Sequence, residues 1–238
     1  MKSHGIEFTI SSKNIQSKDF SWNTDFIFSK AKNEVTELNA RSSVMDLVSG
    51  YGFARQGYPV RGLFSIPFVG LSSNGIPMYN INGKITSTDI DFQTRDNIDY
   101  LKYEGPTDPT ITGSFGNIFT YKAFKLNVFI TYSFGNVVRL NPCFNYQYSD
   151  LSSMPREFKN RWTVPGDEKH TNIPPIISKR QYEDNKDLMY AYNAYNYSTE
   201  RIAKGDFIRM KEISLSYDFP KSWITSAKIS NLSLKLQA

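Results

Sequence analysis

The sequence predicts an all-β chain, a segment of an antiparallel transmembrane β-barrel, and three observations carry that expectation. The first is the stretch Phe124–Phe134, in which Phe124, Leu126, Val128, Ile130, Tyr132 and Phe134 alternate with Lys125, Asn127, Phe129, Thr131 and Ser133. Successive side chains of a strand point to opposite faces, so one face is wholly apolar with aromatic rings at both ends, and the other is mostly polar. An apolar band of about ten residues is what a strand needs to cross a bilayer with its polar face turned to a wet lumen. Second, short and long connections take turns along the chain, as tight periplasmic turns and long extracellular loops do in outer-membrane barrels. Third, there is no run of about 18 or more apolar residues, which excludes a transmembrane helix and leaves a strand-built span open.

Taken in order, the first alternating segment sets Ile6, Phe8 and Ile10 against Glu7, Thr9 and Ser11. After a polar turn near residues 16–19, Trp22, Thr24, Phe26 and Phe28 alternate with Ser21, Asn23, Asp25 and Ile27. Gln56-Gly-Tyr-Pro59 predicts a turn between a weaker strand over about 43–55 and a better one over about 60–70. Ile111–Tyr121 puts Phe115, Phe119 and Tyr121 on the face that matches Phe124–Phe134 if Lys122-Ala123 is the turn. Over residues 207–219, Ile213, Leu215, Tyr217 and Phe219 alternate with Glu212, Ser214, Ser216 and Asp218. Last, Leu232, Leu234 and Leu236 alternate with Ser233, Lys235 and Gln237. That makes about eight strands. Short connections fall near 15–20, 56–59, 122–123 and 220–229, and long ones near 32–42, 71–110 and 136–206. Helical signal is confined to one turn over 221–228, after Pro220, and a short amphipathic stretch over 183–195.

Composition narrows the function by exclusion. The 238 residues carry a net charge of +5, but Lys and Arg are scattered and form no block, so no nucleic-acid partner is expected. The single cysteine, Cys143, excludes an internal disulfide and a cysteine-rich metal site. His4 and His170 lie far apart with no metal-ligand spacing around them, and no cofactor is expected. Nucleophile elbows, phosphate loops and paired-histidine motifs are absent, while acidic pairs such as Glu34/Glu37 and Asp89/Asp91 sit in hydrophilic stretches as solvated charges. No enzyme is legible. Asn196-Tyr-Ser198 and Asn231-Leu-Ser233 match a glycosylation acceptor, a pattern short enough to arise by chance.

The stretch Glu200-Arg-Ile-Ala-Lys-Gly-Asp-Phe-Ile-Arg-Met-Lys-Glu-Ile-Ser-Leu-Ser-Tyr-Asp-Phe-Pro-Lys-Ser-Trp223 resembles the late barrel of SusC/RagA-type TonB-linked outer-membrane transporters. Three further stretches resemble the same family in the expected order. They are Gly5-Ile-Glu-Phe8 with Phe20-Ser-Trp-Asn-Thr-Asp-Phe26 and Asn33-Glu-Val35, then Gly57-Tyr-Pro-Val60, then Asp108-Pro109 through Phe134-Gly-Asn136. The resemblance implies that residues 1–238 are part of a plugged barrel of about 22 strands. It further implies that the N-terminal extension, the TonB-contacting segment, the plug and the last strand lie outside the chain, as does a signal peptide, since the first residues hold no apolar core for one. It implies a location in the outer membrane of a Gram-negative bacterium. The parent would be an importer of glycans or oligopeptides working with a SusD-like surface lipoprotein, driven through TonB, ExbB and ExbD. The segment by itself is not expected to be transport-competent.

On this reading the lipid-facing residues are Phe115, Phe119, Leu126, Val128, Ile130, Ile213, Leu215 and Tyr217. Lys125, Asn127, Thr131, Glu212 and Ser214 face the lumen. The long stretch 136–205 holds many tyrosines with Arg156, Arg161 and Arg180, and flat rings with a polar edge suit sugar stacking and protein interfaces alike. Tyr148, Trp162, Tyr190 and Tyr192 are the candidates for substrate or partner contact, against the alternative that such rings pack the loop onto the barrel rim. Two other readings stay open: a secreted or surface β-sandwich that binds carbohydrate, and a truncated reading frame without independent activity. A sandwich would cover the apolar face of Phe124–Phe134 with a second sheet; a barrel leaves it to lipid.

Overall fold

The computed structural model describes residues 1–50, 54–144, 153–225 and 228–238. In chain order the strands are β1 (Lys2–Gln16), β2 (Phe20–Glu34), β3 (Gly62–Ser65), β4 (Phe68–Leu71), β5 (Pro77–Ile81), β6 (Lys84–Thr86), β7 (Lys102–Pro106), β8 (Ile111–Tyr121), β9 (Phe124–Phe134), β10 (Val137–Arg139), β11 (Ile202–Lys204), β12 (Phe207–Asp218) and β13 (Ser233–Gln237). The helices are α1 (Val44–Ser49), α2 (Lys179–Asp184), α3 (Leu188–Asn196) and α4 (Lys221–Ile224). The chain forms two units. One holds the long strands, over residues 3–32, 109–135 and 205–238; the other gathers residues 33–108 and 136–204 with the first two residues.

The strand unit is a six-stranded sheet in the order β1-β2-β8-β9-β12-β13. β2 with β8, β8 with β9, β9 with β12 and β12 with β13 pair antiparallel. The β8–β9 hairpin closes on Lys122-Ala123 as expected, with Tyr121 opposite Phe124 and Lys122 in the left-handed region at φ 51°. Residues 17–19, 122–123 and 219–232 make the connections at one end of this sheet, and the two long insertions leave from the other. The alternation of short and long connections is therefore real, although the sheet has six strands rather than eight.

The missing pair is the expected hairpin around residues 56–59. Residues 44–49 are helical, because Val44, Leu47 and Val48 recur at helical spacing and are fully buried. A capping box between Ser43 and Asp46 starts this helix, and Gly50, left-handed at φ 72°, ends it. The stretch near 60–70 splits at residues 66–67 into β3, which pairs with β7, and β4, which pairs with β5. All of it belongs to the first insertion. The expected helical signals are found at α4 and, within the second insertion, at α3, with α2 just before it.

The insertion unit has two hydrophobic clusters. One gathers α1, Phe64, Ile66, Tyr79, Phe92 and Leu101 with Ala194 from α3; the other packs Cys143, Phe144 and Phe158 against Ala191, Tyr192 and Tyr195. Burial of this much apolar surface, at roughly 25 cal/mol per Å², makes the insertions a folded body rather than solvated loops. Three of the bonds that stitch the two stretches together are these. Ile66 N donates to Tyr197 O at 3.0 Å, Thr199 N donates to Ile66 O at 3.1 Å, and the buried Tyr79 hydroxyl donates to Ala191 O at 2.6 Å.

Candidate functional site: a two-faced sheet and an aromatic cleft

Register sorts the sheet's side chains onto two faces, since directly opposed residues share a face. Phe26 opposes Phe115, which opposes Ile130; Trp22 opposes Phe119, which opposes Leu126; Val128 opposes Ile213, Leu126 opposes Leu215, and Phe124 opposes Tyr217. All eight residues expected to face lipid thus lie on one face. Lys125, Asn127 and Thr131 lie on the other with Ser214 opposite Asn127 and Glu212 opposite Phe129, and Lys235 Nζ is 3.2 Å from Glu212 Oε1. Among the described residues no second sheet covers the apolar face: Phe115, Ile213 and Leu215 remain 39, 42 and 43% exposed, which a sandwich core would not allow.

Two features of that face were not flagged by the alternation. In β12 the register shifts between Met210 and Glu212, so Lys211 is an extra residue. The bulge changes parity and carries the apolar face from Ile208 and Met210, opposite Tyr132 and Ile130, on to Ile213 and Leu215. Asn117 also sits on this face, opposite Val128, and is nearly buried. Trp22 Nε1 donates to its Oδ1 at 2.9 Å, Thr24 Oγ1 donates to the same atom at 2.8 Å, and Asn14 Nδ2 donates to Thr24 Oγ1 at 2.6 Å. An unpaired polar group in apolar surroundings costs roughly 2–7 kcal/mol, so these hydrogen bonds are what admit such residues to an apolar face.

Gly113 in β8 makes room for a neighbour. A Cβ at this position would collide with the Tyr132 ring, whose hydroxyl reaches across to donate to Ile27 O at 2.9 Å. The tyrosine thereby ties β9 to β2 over the glycine.

The insertion unit contains a cleft of about 420 Å³ lined by Asn74, Ile76, Trp162, Pro175, Ile177, Gln181, Leu188 and Tyr192. Gly75, at φ 76°, lies so close beneath the indole that a Cβ would come 2.7 Å from Trp162 Cδ2. Trp162 Nε1 donates to Glu168 Oε2 at 3.1 Å, which fixes the ring. Trp162 and Tyr192 thus come together, although Tyr192 is mostly buried and stacks edge-on against Phe144 at 5.1 Å. Tyr190 is exposed and stands outside the cleft lining. Tyr148 lies outside the described residues. Tyr195 and Tyr197 pack internally, against Phe144 and Phe92.

Polar anchors hold the cleft's scaffold. Arg139 donates to Val48 O, Phe64 O and Ser198 O and to Ser65 Oγ, at 2.6 to 3.3 Å, and lies over the Tyr197 ring. Burial lowers its pKa to about 10. Asn196 accepts from the backbone N–H groups of Cys143 and Phe144 and donates to Phe144 O at 2.9 Å. Its amide is buried and engaged, so the Asn196-Tyr-Ser198 triplet is a structural element and not a glycosylation acceptor. Burial pushes Cys143 up to about 12, helped by its bond to Glu157. For Glu157, burial favours the neutral acid, but the Cys143 thiol and Arg201 guanidinium outweigh it and hold the carboxyl below its ordinary value. Among the described residues no group of three or more His, Cys, Asp and Glu is placed to hold a metal ion. Nor is any described helix long and apolar enough to cross a membrane, which says nothing of strands.

A sheet with a largely apolar face and a polar one is the arrangement that a strand-built membrane wall requires. The comparisons agree. The chain is 24% identical over 265 residues to TonB-dependent receptor P3 of Formosa agariphila, covering 98% of this chain and 23% of that protein. It is 24% identical over 263 residues to TonB-dependent receptor P39 of the same organism, covering 92% of this chain and 24% of that protein. Among solved structures, the RagAB peptide transporter matches with a TM-score of 0.71 at 19% identity, over 99% of this chain and 25% of that one. The RagAB peptide importer in its closed-closed state matches with a TM-score of 0.69 at 20% identity, over 99% and 25%. No protein-family model matches the chain. The chain therefore resembles TonB-dependent receptors of the SusC/RagA type over nearly its whole length, and it spans about a quarter of the length of the relatives it matches. Each of these relatives is named as a receptor, transporter or importer, not as an enzyme.

Proposed function

We propose that this chain is a wall segment, with its outer loops, of an outer-membrane TonB-dependent importer of a Gram-negative bacterium. The observation that carries the reading is the register-matched apolar face, half-buried on β2, partly exposed on β8, β9 and β12, and backed by a polar face. Phe115, Phe119, Leu126, Val128, Ile130, Ile213, Leu215 and Tyr217 contact outer-membrane lipid, while Lys125, Asn127, Thr131, Glu212 and Ser214 face the lumen. The sheet's outer strands β1 and β13 leave edges on which the rest of a barrel pairs, because an open edge in hydrocarbon would strand its backbone groups. Residues 1–238 are then part of the barrel domain; the plug, the N-terminal extension and the closing strand are supplied by the rest of the receptor.

The substrate is a glycan or an oligopeptide, delivered by a SusD-like lipoprotein and released inward through TonB, ExbB and ExbD. The Trp162 cleft supports this, since an indole face with nearby amides from Asn74 and Gln181 accepts either a sugar ring or an apolar side chain. Single cysteines test the orientation. Tyr190→Cys in the second insertion should react with a membrane-impermeant maleimide on intact cells, and Ala123→Cys in the β8–β9 turn only after the outer membrane is opened. The native Cys143 is buried and stays silent. Equal labelling of both positions on intact cells would overturn the reading. Uptake of labelled oligopeptides and glycans, with and without an uncoupler, then assigns the substrate class.

A further inference from the structure

The β12–β13 connection, residues 219–232, is the one short connection of the sheet that carries a helix. Ile224 is buried, whereas Trp223 is 66% exposed. A ladder of rings leads to that indole from the apolar face: Phe124 to Tyr217 at 4.6 Å, Tyr217 to Phe219 at 5.1 Å, Phe219 to Trp223 at 6.4 Å. An indole placed where an apolar band ends, with an apolar body and a polar N–H, is suited to the lipid headgroup level. Beside it lies a recess of about 440 Å³ lined by Asp218, Phe219, Lys221, Asn231, Leu232 and Ser233. Its walls are apolar at Phe219 and Leu232, and its polar groups are of both signs: a Lys ammonium with amide and hydroxyl donors, and one carboxylate.

We infer that this recess holds the headgroup of a zwitterionic glycerophospholipid of the inner leaflet, one with a primary ammonium. The phosphate meets Lys221, Asn231 and Ser233, the ammonium meets Asp218, and the glycerol and first methylenes lie on Phe219 and Leu232 under the Trp223 anchor. A purely anionic headgroup satisfies Lys221 but meets repulsion from Asp218, so charge complementarity selects the zwitterion. The inference rests on the membrane reading above, in which the short connections face the inner leaflet.

Two variants of the complete receptor in vesicles, with every tryptophan outside residues 1–238 replaced by Phe, separate the two ideas. Both carry Trp162→Phe; one adds Trp223→Phe and keeps Trp22 on the apolar face, and the other adds Trp22→Phe and keeps Trp223. The vesicles contain phosphatidylethanolamine or phosphatidylglycerol brominated near the headgroup. Trp22 should be quenched equally by both lipids. Trp223 should be quenched about fivefold more by phosphatidylethanolamine, the preference expected of one exposed ion pair gained or lost. Asp218→Asn and Lys221→Gln should each abolish that preference. Equal quenching of Trp223 by both lipids, or a preference that survives Asp218→Asn, would overturn the headgroup site while leaving the barrel intact. An unquenched Trp22 would overturn the membrane reading, and this site with it.

Discussion

Val128 and Asn127 are chain neighbours on opposite faces of the sheet, near the middle of β9. Val128→Arg should abolish assembly of the receptor into the membrane, costing about 2–4 kcal/mol near the bilayer midplane. Asn127→Arg should be tolerated. Heat-modifiable gel mobility reads both, and equal effects would sink the assignment of faces. In the insertion unit, Glu157 makes a pH prediction. Its folded pKa lies below the ordinary 4.5, so its contribution to stability is present above that value and is lost as pH falls through the lower folded pKa. Thermal melts should therefore show a loss of stability on acidification below about pH 4.5 that Glu157→Gln removes. The roles of Asn117 and Asn196 were not legible from sequence. An asparagine on an apolar face, or one inside a glycosylation-like triplet, reads as an exception until its partners, brought from distant strands and loops, are known.

At the level of the element, β12 carries one residue of slack. Strand alternation has a period of two, so deleting Lys211 alone leaves Met210, Ile213 and Leu215 on one face of a now regular strand, whereas deleting Lys211 and Glu212 together should turn Ile213, Leu215 and Tyr217 to the polar face and Ser214 to the apolar one. The double deletion should prevent assembly, whereas loss of Lys211 alone should not, because it keeps every paired residue on its face; membrane-fraction yield separates the two. The same periodicity argument explains a misreading. Over 43–55 the sequence was expected to form a strand, yet Ser43 and Asp46 write a capping box and Gly50 a helix stop, local signals that outweigh a weak alternation. Those signals were present in the sequence. For the stretch near 60–70 they were not: a run of apolar residues is equally compatible with one long strand or two short ones, and only partners elsewhere decide.

For the molecule as a whole, the two insertions fold as one body. Ile66 is fully buried at the point where they are stitched together, so Ile66→Ala should cost about 2–5 kcal/mol and loosen both stretches at once. Hydrogen exchange should rise together in residues 62–65 and 191–198; a rise confined to the first would show that they unfold separately. Among the described tyrosines of the second insertion, Tyr192, Tyr195 and Tyr197 serve this packing, with Trp162 and Tyr190 left more open. The sequence by itself determined the strand faces, the β8–β9 register and the end of the sheet from which the insertions leave, because alternation and turn chemistry act between near neighbours. Tertiary structure alone decided the parity change in β12, the Asn117 and Asn196 hydrogen bonds, the joint core of the insertions and the cleft at Trp162. Each of these depends on groups far apart in the chain, and a period of two carries no information about which distant segment a side chain will meet.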